Sequence, residues 1–230
     1  MRVDVWSDVM CPWCSVGRGN LLKALESFDG ETVEIRWRSF QLDPSAPEVV
    51  EGDYVQKLAS KYGKTRQEAQ GWIEQMSERG AEVGVAFDFS KIRPGNTFNA
   101  HRLLHFAAEH GLQDALKARL FSGYFEQGVA VGKAEALVGL AVDVGLDEAQ
   151  VRRVLETDAY AEAVRTDLQL AKQIGVTGVP FFVFEESVAV SGAHPPENLV
   201  QAMKQAVERR VVPVQNSDGV ACDSDGCAIE

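Results

Sequence analysis

The sequence predicts an α/β protein in which two separate segments of the chain build one four-stranded sheet and a large, all-helical insertion lies between them. Three observations lead to this prediction: a strand–helix–strand pattern in residues 1–45, a long run of helical periodicity in residues 46–175, and a strand–strand–helix pattern in residues 176–212. The first and third segments are therefore expected to form one domain, and the middle segment a second, helical domain.

The first segment has the pattern of a βαβ unit. Its opening residues alternate between apolar and polar side chains, which places Val3 and Val5 on one face of a strand. Apolar residues then recur at helical spacing and predict a helix from about Cys11 to Phe28, and TVEIRWRSFQL predicts a second strand. Because crossovers of this kind are almost always right-handed and join parallel strands, the two strands are expected to run parallel in one sheet.

The rest of the chain is predicted to be helical until the strand signal returns. From about Asp53 to Gly175 one amphipathic helix follows another, and several of them are followed by a glycine. In VPFFVFEESVAVSG two short apolar runs flank Glu185 and Glu186, which predicts a hairpin. The segment PPENLVQAMKQAVERR predicts a final helix that begins at prolines.

Composition and charge argue against several classes of function. The chain has 230 residues and a net charge of -11, which disfavours a nucleic-acid partner because phosphate binding requires a concentrated basic surface. No apolar run approaches the ~18 residues of a membrane span and no secretion leader precedes the first strand, so we expect a cytoplasmic protein without a membrane partner. Four cysteines are too few for a disulfide framework, and in the cytoplasm a Cys-x-x-Cys pair is typical of catalysis or metal binding.

The segment CPWC places Cys11 and Cys14 where the first strand turns into the first helix. Free backbone amides and the helix dipole at a first helical turn favour a thiolate, so Cys11 is predicted to be an exposed, attacking thiol with a lowered pKa. Pro12 suits the first helical position, and Cys14, one turn further on, is placed to resolve a mixed disulfide formed at Cys11. Two alternatives remain: a pair of inert buried thiols, and a zinc site formed together with Cys222 and Cys227.

Three segments, SDVMCPWCSVGRGNLLKAL, GVPFFVF and SGAHPPENL, together resemble the DsbA-like thioredoxin-fold family, in particular its FrnE-like branch of cytoplasmic dithiol–disulfide oxidoreductases. The resemblance covers roughly residues 1–210 and implies a thioredoxin fold with a helical insertion. It also implies that Cys11 is the nucleophile, that Cys14 is the resolving cysteine and that a cis-proline, Pro180, faces them. The residues themselves are equally compatible with a trans-proline that opens an edge strand. By the same resemblance the backbone of Val179 pairs with an extended substrate. We expect no cofactor and no resident metal.

The substrates that this resemblance implies are proteins with thiols or disulfides, or glutathione, and Pro12 and Trp13 join Val179 and Pro180 in the predicted substrate-binding surface. Trp13 stands where DsbA itself has a histidine that stabilises the thiolate, which predicts a milder oxidant than DsbA. The rival function is a glutathione-dependent isomerase or transferase, as in 2-hydroxychromene-2-carboxylate isomerases and kappa-class transferases. Those enzymes commonly carry a serine where Cys11 stands, so the intact cysteine pair favours disulfide exchange.

Residues 213–230 are small, polar and acidic and are predicted to form a flexible tail. Cys222 and Cys227 are separated by four residues within it, and the neighbouring carboxylates are expected to raise the pKa of both thiols and to favour their disulfide. The two cysteines are therefore a candidate auxiliary redox pair that passes electrons to the oxidised CPWC segment. Two alternatives remain open: a zinc site that includes the adjacent aspartates, and cysteines without a role.

His101 and His105 lie four residues apart on a predicted helix, a spacing that zinc ligands can have. The glutamate expected beside the first histidine is replaced by Arg102, so we interpret the two histidines as surface or pocket-lining residues. Asn96 and His101 are candidates for the wall of a cleft beneath the insertion.

Overall fold

The four strands of the described chain form one mixed sheet. The structure is a computed structural model and describes residues 1–210. Strand β1 (Arg2–Ser7) runs parallel to β2 (Glu34–Ser39) and antiparallel to β3 (Phe181–Phe184), which in turn pairs with β4 (Val188–Ser191). The strand order is β2-β1-β3-β4, so the prediction of one sheet built from two distant segments is confirmed.

Nine helices account for most of the remaining described residues. They are α1 (Pro12–Ser27), α2 (Tyr54–Tyr62), α3 (Arg66–Glu82), α4 (Phe98–Glu109), α5 (Gln113–Phe125), α6 (Ala134–Asp143), α7 (Glu148–Glu156), α8 (Ala161–Gln173) and α9 (Pro196–Arg210). Helices α2 to α8 follow one another between the second and third strands, so the predicted α/β fold with a helical insertion is confirmed. The exact domain limits, predicted at residues 46 and 175, stay a prediction. None of these nine helices combines the length and the hydrophobicity that are needed to cross a bilayer.

The sheet is covered on both faces because its central strand alternates between two apolar environments. Val5 belongs to a buried cluster with Leu21 of α1 and Met203 of α9, which cover one face of the sheet. Trp6, the next residue along β1, faces the other side and belongs to a small cluster with Ala171 of α8. Since successive side chains of a strand point to opposite faces, β1 joins the two layers.

The insertion has an apolar core of its own, formed by buried side chains of α3 to α7. The segment that follows β1 packs into this core and not into the core under the sheet: Val9, Cys11, Cys14 and Val16 all belong to it. The Cys-Pro-Trp-Cys segment therefore lies where the sheet layer and the helical insertion meet.

A buried polar network fixes the insertion to the sheet. Arg38 of β2 donates to Asp4 of β1 at 2.7 Å and to Asp167 of α8 at 2.9 Å. Asp167 also accepts the Ser39 backbone N–H at 2.8 Å and lies 3.1 Å from Nε2 of His105. Because removing one partner would leave a buried charge uncompensated, this network ties α8 and α4 to one edge of the sheet.

Candidate active site

The first helix begins directly at the cysteine pair. Cys11 is the residue before the helix and has an extended backbone, with φ -88° and ψ 112°, and Pro12 occupies the first helical position. The Cys11 N–H donates to the Asp8 carbonyl at 3.1 Å, and the Cys14 N–H donates to the Cys11 carbonyl at 3.0 Å. The helix start expected from the sequence is thus confirmed, and the proline loses nothing there because its missing N–H would have no partner within the helix.

The strand pairing brings the predicted cis-proline to the cysteines. The Val179–Pro180 peptide bond is cis. Trp6 near the end of β1 pairs with Phe181 at the start of β3, so the residues just before β3 lie beside the turn that carries Cys11. The Cys11 thiol donates to the carbonyl oxygen of Val179 at an S–O distance of 3.5 Å.

Both cysteines are free thiols and both are buried, which corrects one expectation from the sequence. Cys11 is only 4% exposed and Cys14 is fully covered, whereas Trp13 between them is 44% exposed. The prediction of an exposed attacking thiol is wrong for this state because the core of the insertion and the Val179 carbonyl cover Cys11. The outward-facing part of the CPWC segment is Trp13.

The predicted lowering of the Cys11 pKa is also wrong for the reduced pair. The pKa of the Cys11 thiol is raised well above its ordinary value, first by its hydrogen bond with Cys14, then by burial and by the charge that Cys14 acquires on ionising. The Cys14 backbone N–H does act in the expected direction and lowers the pKa of Cys11, but burial and the second thiol outweigh it. Ionisation of one thiol of the pair therefore opposes ionisation of the other.

A buried ionisable cluster lies behind the cysteines and was not predicted from the sequence. Asp8, His101 of α4 and Lys117 of α5 are all essentially inaccessible to solvent. Oδ1 of Asp8 lies 3.5 Å from Nε2 of His101, and neither atom has a hydrogen-bond partner in the described chain. Lys117 donates to the Ser7 carbonyl at 3.3 Å. Burial lowers the pKa of Lys117 to about 8, against the opposing effect of negative charge on Cys14, Asp8 and Cys11.

The two histidines of α4 do not act as a pair. His101 is buried next to Asp8, so its interpretation as a surface or pocket-lining residue is wrong; burial also lowers its pKa and keeps it neutral at pH 7. His105 lies 3.0 Å from the Ser39 hydroxyl and belongs to the polar network of the sheet. Residues 1–210 contain no group of three or more side chains that is arranged to hold a metal ion.

A cavity opens beside the CPWC segment, and Pro12 and Trp13 form part of its wall. Tyr54 of α2 and Tyr124 of α5 line the same cavity from the insertion. The sequence analysis missed these two tyrosines, since helical periodicity alone assigns them to a core. The structure thus brings together Cys11, Cys14, Pro12, Trp13, Val179 and Pro180, whereas Cys222 and Cys227 lie outside the described residues.

Comparison with known proteins places most of the chain in one family. Residues 2–204 match the family model described as the DSBA-like thioredoxin domain. YwbO of Bacillus subtilis is 29% identical over 196 residues, which cover 84% of this chain and 91% of that protein.

Solved structures repeat the fold over nearly the whole chain. A probable DsbA oxidoreductase from Streptomyces coelicolor is 42% identical, with a TM-score of 0.88 and coverage of 100% of this chain and 99% of that chain. A 2-hydroxychromene-2-carboxylate isomerase superposes with a TM-score of 0.65 at 15% identity, covering 91% and 98% of the two chains. The cytosolic disulfide reductase DsbM from Pseudomonas aeruginosa, solved with GSH, does so with a TM-score of 0.57 at 18% identity and the same coverage. The last two likenesses show the fold alone.

Proposed function

We propose that this chain, which belongs to the DSBA-like thioredoxin domain family and is therefore a dithiol–disulfide oxidoreductase, works through the CPWC segment at residues 11–14. The observation that carries the proposal is the position of two free thiols at the start of α1, with the Cys11 sulfur 3.5 Å from the Val179 carbonyl. Two thiols one helical turn apart can close a disulfide, and a carbonyl beside Cys11 marks where a substrate backbone would approach.

The reaction moves two electrons between the cysteine pair and a substrate disulfide. The Cys11 thiolate attacks one substrate sulfur, forms a mixed disulfide and releases the other sulfur as a thiolate that takes up a proton. Cys14 then loses its proton and attacks the Cys11 sulfur, which closes the Cys11–Cys14 disulfide and releases the second substrate thiol. Run in reverse, a substrate dithiol is oxidised and the enzyme pair is reduced, so the direction depends on the relative reduction potentials.

Val179 is the proposed docking point for the substrate backbone. Its N–H has no hydrogen-bond partner within residues 1–210, and the next carbonyl, that of Pro180, accepts from Gly192 at 2.8 Å and is held in place. An extended substrate segment can donate to and accept from this short stretch in the manner of an added strand. Trp13, the exposed residue between the two cysteines, supplies an apolar contact to the same segment.

Lys117 is proposed to assist the exchange from behind the cysteines. Negative charge on Cys14 and on Cys11 raises the pKa of Lys117, and by reciprocity a protonated Lys117 stabilises a thiolate on either sulfur. Lys117 is held for this role by its bond to Ser7 and by the rings of Trp37 and Phe121, whose centroids lie 5.4 and 5.0 Å from its ammonium. It touches no substrate and is therefore a positioning residue.

Trapping of the mixed disulfide tests the proposed function. In a Cys222→Ser, Cys227→Ser background, Cys14→Ser is expected to accumulate an adduct with oxidised glutathione or a disulfide-containing protein, detected by mass spectrometry. Cys11→Ser is expected to form none, because the attacking thiol is absent. Equal adduct formation by both variants, or no closure of the Cys11–Cys14 disulfide under any oxidant, would overturn the assignment.

The alternative activity is glutathione-dependent isomerisation, which the fold of the 2-hydroxychromene-2-carboxylate isomerase supports. Such a reaction binds a glutathione thiolate and needs no second cysteine. Turnover of a chromene carboxylate by the Cys14→Ser variant at the wild-type rate would favour this activity over disulfide exchange.

We further propose that the protein acts in the cytoplasm and that glutathione is one of its partners. A low cysteine content is typical of a reducing compartment, and one structural relative is described as a cytosolic reductase solved with GSH. Fractionation of the producing cells, followed by detection of the protein with an antibody, tests the location directly. Recovery outside the cytoplasmic fraction would contradict it.

A further inference from the structure

The cavity beside the CPWC segment has the dimensions of a small-molecule site. Its volume is about 560 Å³, which lies in the range of pockets that enclose drug-sized ligands and is too small for a folded partner. Met10, Pro12 and Trp13 form the wall nearest the cysteines, and side chains of α2 and α3 form the facing wall. A ligand in this space would lie against the segment that carries Cys11.

Exposed apolar surface is concentrated at this cavity. The described chain has six exposed large apolar side chains, and four of them, Trp13, Leu42, Tyr62 and Trp72, line the cavity. The other two are dispersed elsewhere on the protein. A cluster of this kind around one concave space indicates a contact surface, because isolated exposed apolar residues would not gather at one site. The three aromatic members favour a flat, aromatic ligand group.

Two unpaired cations face the same cavity. Lys57 and Lys61 lie one turn apart on α2 and both line it. Within the described residues neither forms an ion pair: Lys57 donates to the Glu51 carbonyl, and the Lys61 ammonium lies 5.7 Å from the centre of the Tyr62 ring. Asp43 is the one carboxylate among the lining residues, and it accepts hydrogen bonds from the backbone N–H and the hydroxyl of Ser45. In a protein of net charge -11, two ammonium groups that have no carboxylate partner at an apolar cavity favour an anionic ligand.

Two phenols add hydrogen-bond donors: Tyr124 is buried and Tyr54 is half-buried. Burial raises the pKa of Tyr54 to about 12 and that of Tyr124 well above its ordinary value, so both stay protonated at neutral pH. Both tyrosines line the same cavity as Met10 and Pro12, which are the residues on either side of Cys11 in the chain.

We propose that this cavity binds a low-molecular-weight disulfide that carries an aromatic ring and a carboxylate, and presents one of its sulfurs to Cys11. The inference rests on the proposed disulfide exchange at Cys11 and Cys14. The aromatic ring packs among Trp13 and Trp72, and the carboxylate lies toward Lys57 and Lys61. Cys11 then forms the mixed disulfide and releases one aryl thiolate, and Cys14 closes the enzyme disulfide and releases the second, so two electrons pass to the ligand.

Three probe disulfides separate the contributions of ring and carboxylate. Dithiobis(nitrobenzoate) has rings and carboxylates, dithiodipyridine has rings only, and oxidised glutathione has no aromatic ring. Rates of oxidation of the reduced Cys222→Ser, Cys227→Ser protein are measured by stopped flow, and each is divided by the rate of dithiothreitol with the same probe. The nitrobenzoate probe is expected to show saturation and a normalised rate at least tenfold above that of glutathione disulfide. A faster normalised rate for glutathione disulfide would overturn the proposal.

Matched charge variants test the lysines. Lys57→Gln, Lys61→Gln is expected to lower the ratio of the nitrobenzoate rate to the dithiodipyridine rate about tenfold. The control Lys172→Gln, Lys204→Gln removes two exposed lysines on α8 and α9 and is expected to keep that ratio. If the ratio fell equally in both variants, the effect would come from the net charge of the protein, and a binding site at the cavity would be contradicted.

A binding measurement keeps the test independent of turnover. A diaryl thioether dicarboxylate, which cannot exchange, is expected to quench tryptophan fluorescence of the Cys11→Ser, Cys14→Ser protein along a saturable curve, and Trp72→Ala is expected to weaken that binding. Absence of saturation would overturn the cavity assignment alone. Failure of every probe to close the Cys11–Cys14 disulfide in the parent protein would instead overturn the proposed function.

Discussion

Gly17 of α1 lies directly against Pro180, so that a β-carbon at residue 17 would come within 2.8 Å of Pro180 Cγ and 3.3 Å of the Phe182 ring. A glycine in the interior of a helix costs about 0.5–1 kcal/mol relative to alanine. The close approach explains why residue 17 is nevertheless a glycine, because only a hydrogen atom fits between the helix that carries Cys14 and the segment that carries Val179. The spacing of the two halves of the active site is therefore set at residue 17.

Gly17→Ala is expected to lower the free energy of unfolding by about 1–3 kcal/mol, since the added methyl group must displace Pro180 or α1. It is also expected to slow exchange at Cys11 by moving Val179. The matched control is Gly139→Ala in α6, where nothing lies within 4 Å of the added atom and a gain of up to about 1 kcal/mol is expected. Chemical denaturation of both variants decides the matter: a stabilised Gly17→Ala would show that the contact does not constrain the site.

The reduction potential of the cysteine pair is expected to lie well below the about -120 mV of DsbA, toward the about -270 mV of thioredoxin. The reason is that burial and Cys14 raise the pKa of Cys11 and Trp13 supplies no charge to offset them. Trp13→His is expected to raise the potential by about 30 mV or more, which corresponds to about one pKa unit. The reduction potential is measured by equilibration with glutathione buffers. The control is Trp72→His, on the other wall of the cavity, which is expected to leave the potential unchanged.

Lys117→Met is expected to slow alkylation of Cys11 about tenfold at pH 7, where Lys117 is protonated, and to leave the rate above about pH 9 unchanged, where Lys117 is neutral in the parent protein as well. The slower reaction at pH 7 follows from the loss of the buried cation that stabilises the thiolates. The limiting rate at high pH is expected to stay the same, because the intrinsic reactivity of the thiolate is unchanged. An equal fall in the alkylation rate at pH 7 and at high pH would indicate a structural role for Lys117 and not an electrostatic one.

Lys117 is also expected to make the free energy of unfolding depend on pH. The pKa of Lys117 is lowered from 10.5 to about 8 on folding, so the folded state releases the proton first as the pH rises. The free energy of unfolding therefore increases by about 3 kcal/mol relative to that of Lys117→Met as the pH rises from about 8 to 10.5. Below pH 8 the buried charged lysine destabilises the folded state by an amount that does not change with pH. Urea unfolding of both proteins across this window, with Cys11 and Cys14 replaced by serine, isolates the effect. Parallel curves would contradict it.

Cys222 and Cys227 are expected to act as electron donors to the oxidised CPWC segment. With one equivalent of a disulfide oxidant in stopped-flow measurements, the Cys11–Cys14 disulfide is expected to form and then to be reduced again as the tail pair closes. The Cys222→Ser, Cys227→Ser variant is expected to stop at the first step. Identical traces for the two proteins would show that the tail pair takes no part.

Sequence patterns predicted the parts of this protein that depend on neighbouring residues. The strands, the helix that starts at Pro12 and the hairpin around Glu185 follow from local periodicity and turn chemistry, and all of them are present. Burial of Cys11 and the approach of Lys117 to Ser7 depend instead on contacts between residues more than a hundred positions apart. No local pattern encodes such contacts.

The cavity also could not be predicted from the sequence. Lys57 and Lys61 are ordinary surface residues by sequence, and Trp72 has the spacing of a core residue on an amphipathic helix. Their meeting opposite Trp13 depends on how α2 and α3 pack over the CPWC segment. The position of a helix hairpin relative to a distant turn is a tertiary property, which a single sequence without its partners does not reveal.

Cys11 and Val179 are 168 positions apart in the chain, so Cys11 is synthesised well before the residue whose carbonyl covers it. At about 5–20 residues per second, a ribosome needs on the order of ten seconds to add the stretch that separates them. Throughout that interval the two thiols have emerged without the strand and carbonyl that later cover Cys11. The nascent thiols are therefore most open to reaction with glutathione disulfide before the fold is complete, which would form a mixed disulfide on the nascent chain and release glutathione.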